Sequence, residues 1–95
     1  MLGFLRLRTM NFVTYYLESI ESGRRYIGAS DDLDRRLLEH NRGKNNATAP
    51  YRPWKIIGFV ESDSLSEART LESNFKKMKS RKRVQKYIEA YGQWL

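Results

Sequence analysis

The fold of this chain is decided by residues 12–41, FVTYYLESIESGRRYIGASDDLDRRLLEHN. Phe12–Glu18 is rich in β-branched and aromatic side chains, which favour a strand. The segment 19–23 is polar and contains a glycine, as hairpin loops do, and Arg24–Gly28 has the composition of a returning strand. This stretch therefore predicts an antiparallel hairpin.

Signals for a helix follow the hairpin directly. Ser30 or Asp31 is expected to cap a helix that begins near Leu33, because a short polar side chain satisfies free N–H groups at a helix start. Asn41 and Gly43 are expected to end that helix just after residue 40. Apolar residues recur at helical spacing within it, so one face should pack on the sheet.

The second half of the chain adds one strand and two helices. Residues 41–53 predict a long loop, and the apolar segment Trp54–Val60 predicts a central strand. Gly58 inside that strand indicates a bulge or a close approach of another backbone. Ser64 and Glu67 form a capping box before a helix that begins at Leu65. The last helix is expected over Arg81–Tyr91.

Together these elements predict an α/β protein of the α+β type, with the order β-β-α-β-α-α. We expect a small three-stranded, mostly antiparallel sheet flanked by helices. The chain has 95 residues, enough for one domain, which we place at residues 12–91. Residues 1–11 are expected to be a loosely ordered extension.

Composition excludes several classes of site. The chain has no cysteine and a single histidine, so neither a disulfide framework nor a multi-histidine zinc site is expected. No apolar run approaches the roughly 20 residues that span a bilayer. The net charge is +7. Residues 76–86, KKMKSRKRVQK, contain seven basic and no acidic residues, so this segment accounts for the whole excess. Such a run is either a solvated helix face or a contact surface for a polyphosphate.

Five polar residues have both a structural and a chemical interpretation. Tyr16 and Tyr26 lie on the hairpin strands, where most tyrosines serve packing. Arg36 and His40 share a helix face at a spacing of four residues; the arginine either covers the core or clamps a phosphate. Glu72 borders a buried helix stripe, where it either pairs with a cation of the protein or holds a divalent metal ion.

In combination, these residues resemble the GIY-YIG nuclease family, small single-domain type, which is related to the N-terminal nuclease domain of the excision-repair incision endonuclease. The resemblance covers about residues 12–90, and Tyr26-Ile27-Gly28 keeps the YIG element intact. Thr14-Tyr15-Tyr16 is taken as the GIY element, which keeps only its tyrosine, Tyr16. No counterpart is found for an asparagine that larger relatives carry after the metal glutamate. Three further segments match, DDLDRRLLEHN (31–41), RPWK (52–55) and SEARTLESNFK (66–76).

The resemblance implies hydrolysis of DNA phosphodiester bonds with one divalent metal ion, Mg²⁺ or Mn²⁺. Glu72 would be the metal ligand, and Arg36 would bind the scissile phosphate. Tyr16 and Tyr26 would position or deprotonate the attacking water. His40 would shuttle a proton or contact phosphate.

The expected partner is DNA. The basic residues expected to hold its backbone are Arg35, Lys76, Lys77, Lys79, Arg81, Lys82 and Arg83. The resemblance also implies a cytoplasmic location, a role in DNA repair or recombination, and a partner protein for targeting; the oligomeric state is left open. The alternative is a non-catalytic nucleic-acid-binding module that keeps the nuclease fold.

Overall fold

A computed structural model describes residues 12–95, so the predicted extension 1–11 lies outside the described residues. No helix in the described part is both long and apolar enough to cross a membrane. The strands are β1 (Phe12–Ser19), β2 (Arg25–Ser30), β3 (Trp54–Ser62) and β4 (Gln93–Trp94). The helices are α1 (Leu33–Asn41), α2 (Leu65–Met78) and α3 (Arg81–Tyr91), and a 3₁₀ turn covers Ala49–Tyr51.

The sheet has four strands in the order β2-β1-β3-β4, and all neighbouring pairs are antiparallel. The predicted three-stranded sheet was therefore one strand short. Two residues were too few to give a strand signal, and β4 lies beyond the predicted end of the domain at residue 91. It forms because the chain turns at Gly92 and returns to the edge of β3.

Gly58 shows both features predicted for it. The β1–β3 register shifts between Tyr16 and Leu17, whose partners are Gly58 and Ile56, so Ile57 is the extra residue of a bulge. A Cβ at Gly58 would lie 2.9 Å from the Trp94 ring. Glycine at this position lets β4 approach the sheet.

β1 is the central strand of the core, and its alternating side chains divide that core in two. Val13, Tyr15 and Leu17 face α1 and pack with buried residues that include Leu33 and Trp54. We call this the α1-side core. Tyr16 faces the other way, into the α2–α3-side core, whose other buried members are Ile57, Val60, Phe75, Val84 and Ile88.

The helix starts follow the expected capping chemistry with one correction. The N-cap of α1 is Asp32, whose carboxylate accepts a hydrogen bond from Arg35 N–H. The predicted Ser30 ends β2, and its hydroxyl accepts from Asp32 N–H instead. Ser64 caps α2 as predicted, accepting from Glu67 N–H.

Asn41 joins the end of α1 to the start of β3 by two hydrogen bonds. Its amide nitrogen donates to Trp54 O at 3.0 Å, and its amide oxygen accepts from Trp54 N–H at 2.6 Å. The Trp54 indole N–H donates in turn to Thr48 O at 2.9 Å. These bonds hold the end of α1 beside the first residue of β3.

We expect Asn41→Ala to destabilise the fold by about 2 kcal/mol, because it removes two hydrogen bonds and leaves the Trp54 N–H without its acceptor. The corresponding fall in the midpoint of thermal unfolding is about 10 °C. Asn46→Ala, at an exposed position of the same loop, is the matched control and should unfold like the parent. Equal midpoints for the two variants would contradict this role of Asn41.

Candidate active site

Tyr15 and Tyr26 come together on the α1 side of the hairpin. The β1–β2 register pairs Tyr15 with Gly28 and Leu17 with Tyr26, so these four residues share one face. The two tyrosine ring centroids are 6.4 Å apart. A Cβ at Gly28 would collide with the Tyr15 hydroxyl. The glycine of the YIG element therefore makes room for this tyrosine.

The structure places Tyr16 on the opposite face, which corrects the expectation that its hydroxyl joins Tyr26. Only 3% of Tyr16 is exposed, and its ring packs in the α2–α3-side core. Tyr15 is the tyrosine that sequence reasoning missed. The signal was present in the strand alternation, because Tyr15 is an even number of residues from Leu17, which is the partner of Tyr26.

Arg36 and His40, one turn apart on α1, both contact the Tyr15 hydroxyl. His40 Nε2 is 2.9 Å from it, and Arg36 Nε donates to it at 3.4 Å. Arg36 also donates through Nη1 to Glu39 Oε1 at 2.9 Å. The predicted sharing of a helix face is thus confirmed, and the shared face points at Tyr15.

His40 is fully buried, so it cannot contact a phosphate of a bound strand. Burial, and then the nearby Arg36 charge, lower the pKa of His40 from 6.5 to about 4. The imidazole is therefore neutral at pH 7. His40 Nδ1 is 2.7 Å from Thr48 Oγ1. Because Arg36 donates to the Tyr15 oxygen, the network assigns the Tyr15 proton to the bond with Nε2 and the imidazole proton to Nδ1.

Burial also raises the pKa of Tyr15, from 10.0 to about 12, against the opposing effects of the Arg36 hydrogen bond and charge. The charges of Tyr26 and Glu72 raise it slightly further. The Tyr15 hydroxyl is consequently protonated at neutral pH. Its hydrogen-bond partner, His40, is neutral as well.

Glu72 reaches this cluster from α2, on the edge formed by β2. Its carboxylate is close enough to influence the Tyr15 pKa, and it accepts a hydrogen bond from Lys76 Nζ at 2.8 Å. Within residues 12–95 no group of three or more histidine, cysteine or acidic side chains is placed to hold a metal ion. A single carboxylate still suits Mg²⁺, which keeps several waters and is often bound by one carboxylate and substrate phosphates.

Tyr26 completes the cluster, with Asn45 Nδ2 donating to its hydroxyl at 3.4 Å. Of the five predicted catalytic residues, the structure thus brings Tyr26, Arg36 and His40 together around Tyr15 and leaves Tyr16 out. The Glu72 charge acts on the Tyr15 pKa. Asn45 and Thr48, which support the cluster, come from the long loop. No sequence signal identified them, because their role depends on how that loop folds back.

The predicted nucleic-acid-binding residues lie on two surfaces. Arg35 is exposed on α1 and pairs with Asp31 and Glu39. The other six are exposed at the end of α2 and the start of α3, namely Lys76, Lys77, Lys79, Arg81, Lys82 and Arg83. Neither surface contributes a side chain to the buried part of the cluster.

The lowered pKa of His40 makes stability depend on pH. Because the folded-state pKa lies below the unfolded value, the contribution is fully present above pH 6.5 and is lost as pH falls towards 4. Between pH 6.5 and 5 we expect a loss of about 2 kcal/mol from this residue. Comparison of the urea unfolding of the parent with that of His40→Gln isolates the contribution of His40, because carboxylate titration affects both proteins.

His40→Gln should show a flatter profile than the parent in this pH range. Since His40 is the chain's single histidine, its imidazole NMR signals can be titrated without ambiguity. Parallel profiles for the two proteins, or an imidazole that titrates near 6.5, would refute the burial effect.

Comparison with known proteins identifies the family of this chain. The GIY-YIG catalytic domain family matches residues 11–87. A UPF0213 protein of Streptococcus pyogenes serotype M3 is 33% identical over 86 residues, which are 90% of this chain and 92% of that protein. A UPF0213 protein of Listeria welshimeri is 36% identical over 75 residues, 78% of this chain and 82% of the relative. No solved structure matches the chain. With the family match covering most of the chain and both halves of the hairpin, this protein belongs to the GIY-YIG family.

Proposed function

We propose that this protein is an endonuclease that hydrolyses phosphodiester bonds of DNA with one divalent cation, Mg²⁺ or Mn²⁺. The observation that supports the proposal is the contact of Arg36 Nε with the Tyr15 hydroxyl, with the Tyr26 ring 6.4 Å from the Tyr15 ring and the Glu72 charge acting on the Tyr15 pKa. A phosphate ligand, a metal ligand and groups that orient water are what this reaction requires.

Glu72 is the residue that would hold the cation. When bound, the cation supplies charge stabilisation at the phosphate and lowers the pKa of its water. Lys76 would have to release the carboxylate or share it. Because this ion pair is partly exposed, it is worth little and opposes that exchange only weakly.

Arg36 would bind the scissile phosphate. Its Nε and Nη1 are engaged by Tyr15 and Glu39, which orient the guanidinium, and its side chain is 34% exposed. The remaining N–H groups can donate to phosphate oxygens, with the planar fork that phosphate recognition favours. A fixed positive charge there would stabilise the extra negative charge of the transition state.

Tyr26 would orient the attacking water, and Tyr15 would position Arg36. Tyr15 is 1% exposed, and ionisation of its hydroxyl is unfavourable at pH 7 because its pKa is about 12. The Tyr15 hydroxyl instead accepts a hydrogen bond from Arg36 Nε and lies 2.9 Å from His40 Nε2, which holds the guanidinium in place. In the hydrolysis the water loses a proton to solvent and its oxygen bonds to phosphorus. The leaving oxygen takes a proton from solvent as its bond to phosphorus breaks.

A second function remains from the sequence: a non-catalytic module that binds nucleic acid. The Lys76–Glu72 ion pair is the observation that favours it, because it occupies the carboxylate that a metal ion needs. A role in DNA repair or recombination, a partner protein for targeting and a cytoplasmic location stay predictions.

Cleavage assays with Mg²⁺ or Mn²⁺ over single-stranded, duplex, branched and flapped DNA test the function. We expect cleavage by the parent and a loss of at least about 100-fold in Glu72→Ala and Arg36→Ala. Circular dichroism of both variants verifies folding. Binding without cleavage of any of these substrates would instead support the non-catalytic module.

Two tyrosine-to-phenylalanine variants test the role of Tyr15. Tyr15→Phe removes the hydroxyl that accepts from Arg36 Nε and should slow cleavage by about 100-fold, because Arg36 loses its position. Tyr91→Phe removes a hydroxyl from an exposed position of α3 and should cleave within about threefold of the parent. Equal rates for the two variants would exclude a role of the Tyr15 hydroxyl in cleavage.

A further inference from the structure

A cation-lined cleft lies between β2, the end of α2 and the start of α3. Four basic residues line it, Arg25, Lys76, Lys79 and Arg81, and Phe75 and Val84 form part of its floor. No carboxylate is among the residues that line it. We call it the α2–α3 cleft. Its charges come from three separate elements and from the linker between two of them, so the cleft is a product of the tertiary fold.

The charges of the α2–α3 cleft are only partly compensated by the protein. Arg25 Nε donates to Glu18 Oε2 at 3.2 Å, and the Arg25 guanidinium also contacts the Tyr16 side chain, so two partners hold it in place. In the part of the chain that the structure describes, no carboxylate lies within ion-pair distance of Lys79 or Arg81. Arg81 Nη2 donates to the Gly23 carbonyl at 3.3 Å.

Lys79 occupies a position that costs folding stability. It ends α2 with φ of 50° and ψ of 36°, the left-handed conformation for which glycine is strongly preferred. A lysine is less stable than glycine in this conformation, and it contributes a positive charge at the rim of the cleft. Folding alone does not account for this choice of residue.

The charges in the first turn of α3 also lower the folding stability. Arg81, Lys82 and Arg83 occupy it, and no acidic residue does. The positive end of the helix dipole disfavours cations at this end of a helix. Departures from local rules that have no local compensation are expected at functional sites, and here both departures add positive charge beside one cleft.

The cleft is continuous with the proposed catalytic cluster. Tyr26 belongs to that cluster and also lines the cleft. Lys76 lines the cleft too, and its Nζ contacts the Glu72 carboxylate at 2.8 Å. A strand whose scissile phosphate lies at Arg36 and Glu72 would therefore pass directly into the cleft.

We propose that the α2–α3 cleft binds a backbone phosphate of the substrate strand next to the scissile one, with Arg25, Lys79 and Arg81 as its ligands. This inference rests on the proposed nuclease function. It adds Arg25 to the predicted DNA-binding residues. It also predicts the path of the DNA strand, which runs from α1 across the start of β2 to the start of α3.

Binding is tested on the full chain carrying Glu72→Ala, so that cleavage does not interfere, with fluorescein-labelled single-stranded and duplex DNA at several salt concentrations. Lys79→Gly and Arg81→Gln should each weaken binding by about three- to tenfold. Each should also reduce the slope of log K against log salt by roughly 0.7 on single strands and 0.9 on duplex.

Lys86→Gln is the matched control. It removes the same charge from an exposed position of α3 that does not line the cleft. The control should bind within about twofold of the Glu72→Ala background. Losses as large as those of Arg81→Gln would show that net charge alone sets affinity, and they would overturn the proposal.

Thermal unfolding distinguishes a loss of phosphate contacts from a general loss of structure in the variants. Lys79→Gly and Arg81→Gln should unfold about 2–4 °C above the background protein, because each removes a local cost. Higher stability together with weaker DNA binding supports the proposal. Higher stability with unchanged DNA binding overturns it.

Two further results separate this proposal from the proposed function. If inorganic phosphate shifts the NMR signals of the cleft and Arg81→Gln abolishes that shift while DNA binding is unchanged, the cleft takes a free anion only, and the proposal fails. If the parent cleaves DNA and the cleft variants bind and cleave equally well, the nuclease function stands and the cleft proposal is overturned. If the parent neither binds nor cleaves DNA, both fail.

Discussion

The hydrogen bond between the Tyr15 hydroxyl and the His40 imidazole joins the strand, helix and loop residues of the candidate site. It joins the central strand to α1 at 2.9 Å, and the other imidazole nitrogen continues the connection to Thr48 in the long loop. The bond forms because Gly28 leaves space for the Tyr15 ring on the neighbouring strand. Arg36, one turn before His40, is brought to the same hydroxyl by the helix repeat.

Burial of this pair gives it a defined protonation state. A tyrosine with a pKa of about 12 and a histidine with a pKa of about 4 are both neutral over the physiological range. A neutral pair can be removed from water at far lower cost than an ion pair. The arrangement therefore supports the fold and holds the Tyr15 hydroxyl in a fixed position beside Arg36.

The first turns of the two longer helices carry charges of opposite sign. α2 begins with a serine cap and Glu67 in its first turn, which complements the helix dipole. α3 begins with three basic residues after Ser80, and Lys79 before it adopts a left-handed conformation. The charge at the start of α2 thus stabilises that helix, whereas the junction before α3 gives up stability for positive charge.

The sequence by itself determined the elements and most of the site. Strand composition, capping residues and helical spacing are local properties, so β1–β3, α1–α3 and the bulge at Gly58 could be predicted, as could the family. Arg36, His40 and Glu72 followed from segments with matched spacing. Only the tertiary structure decided which of two adjacent tyrosines faces the site, because a one-residue difference in a strand reverses the face. The same holds for β4, Asn45, Thr48 and the α2–α3 cleft, since each depends on contacts between segments that are distant in the chain.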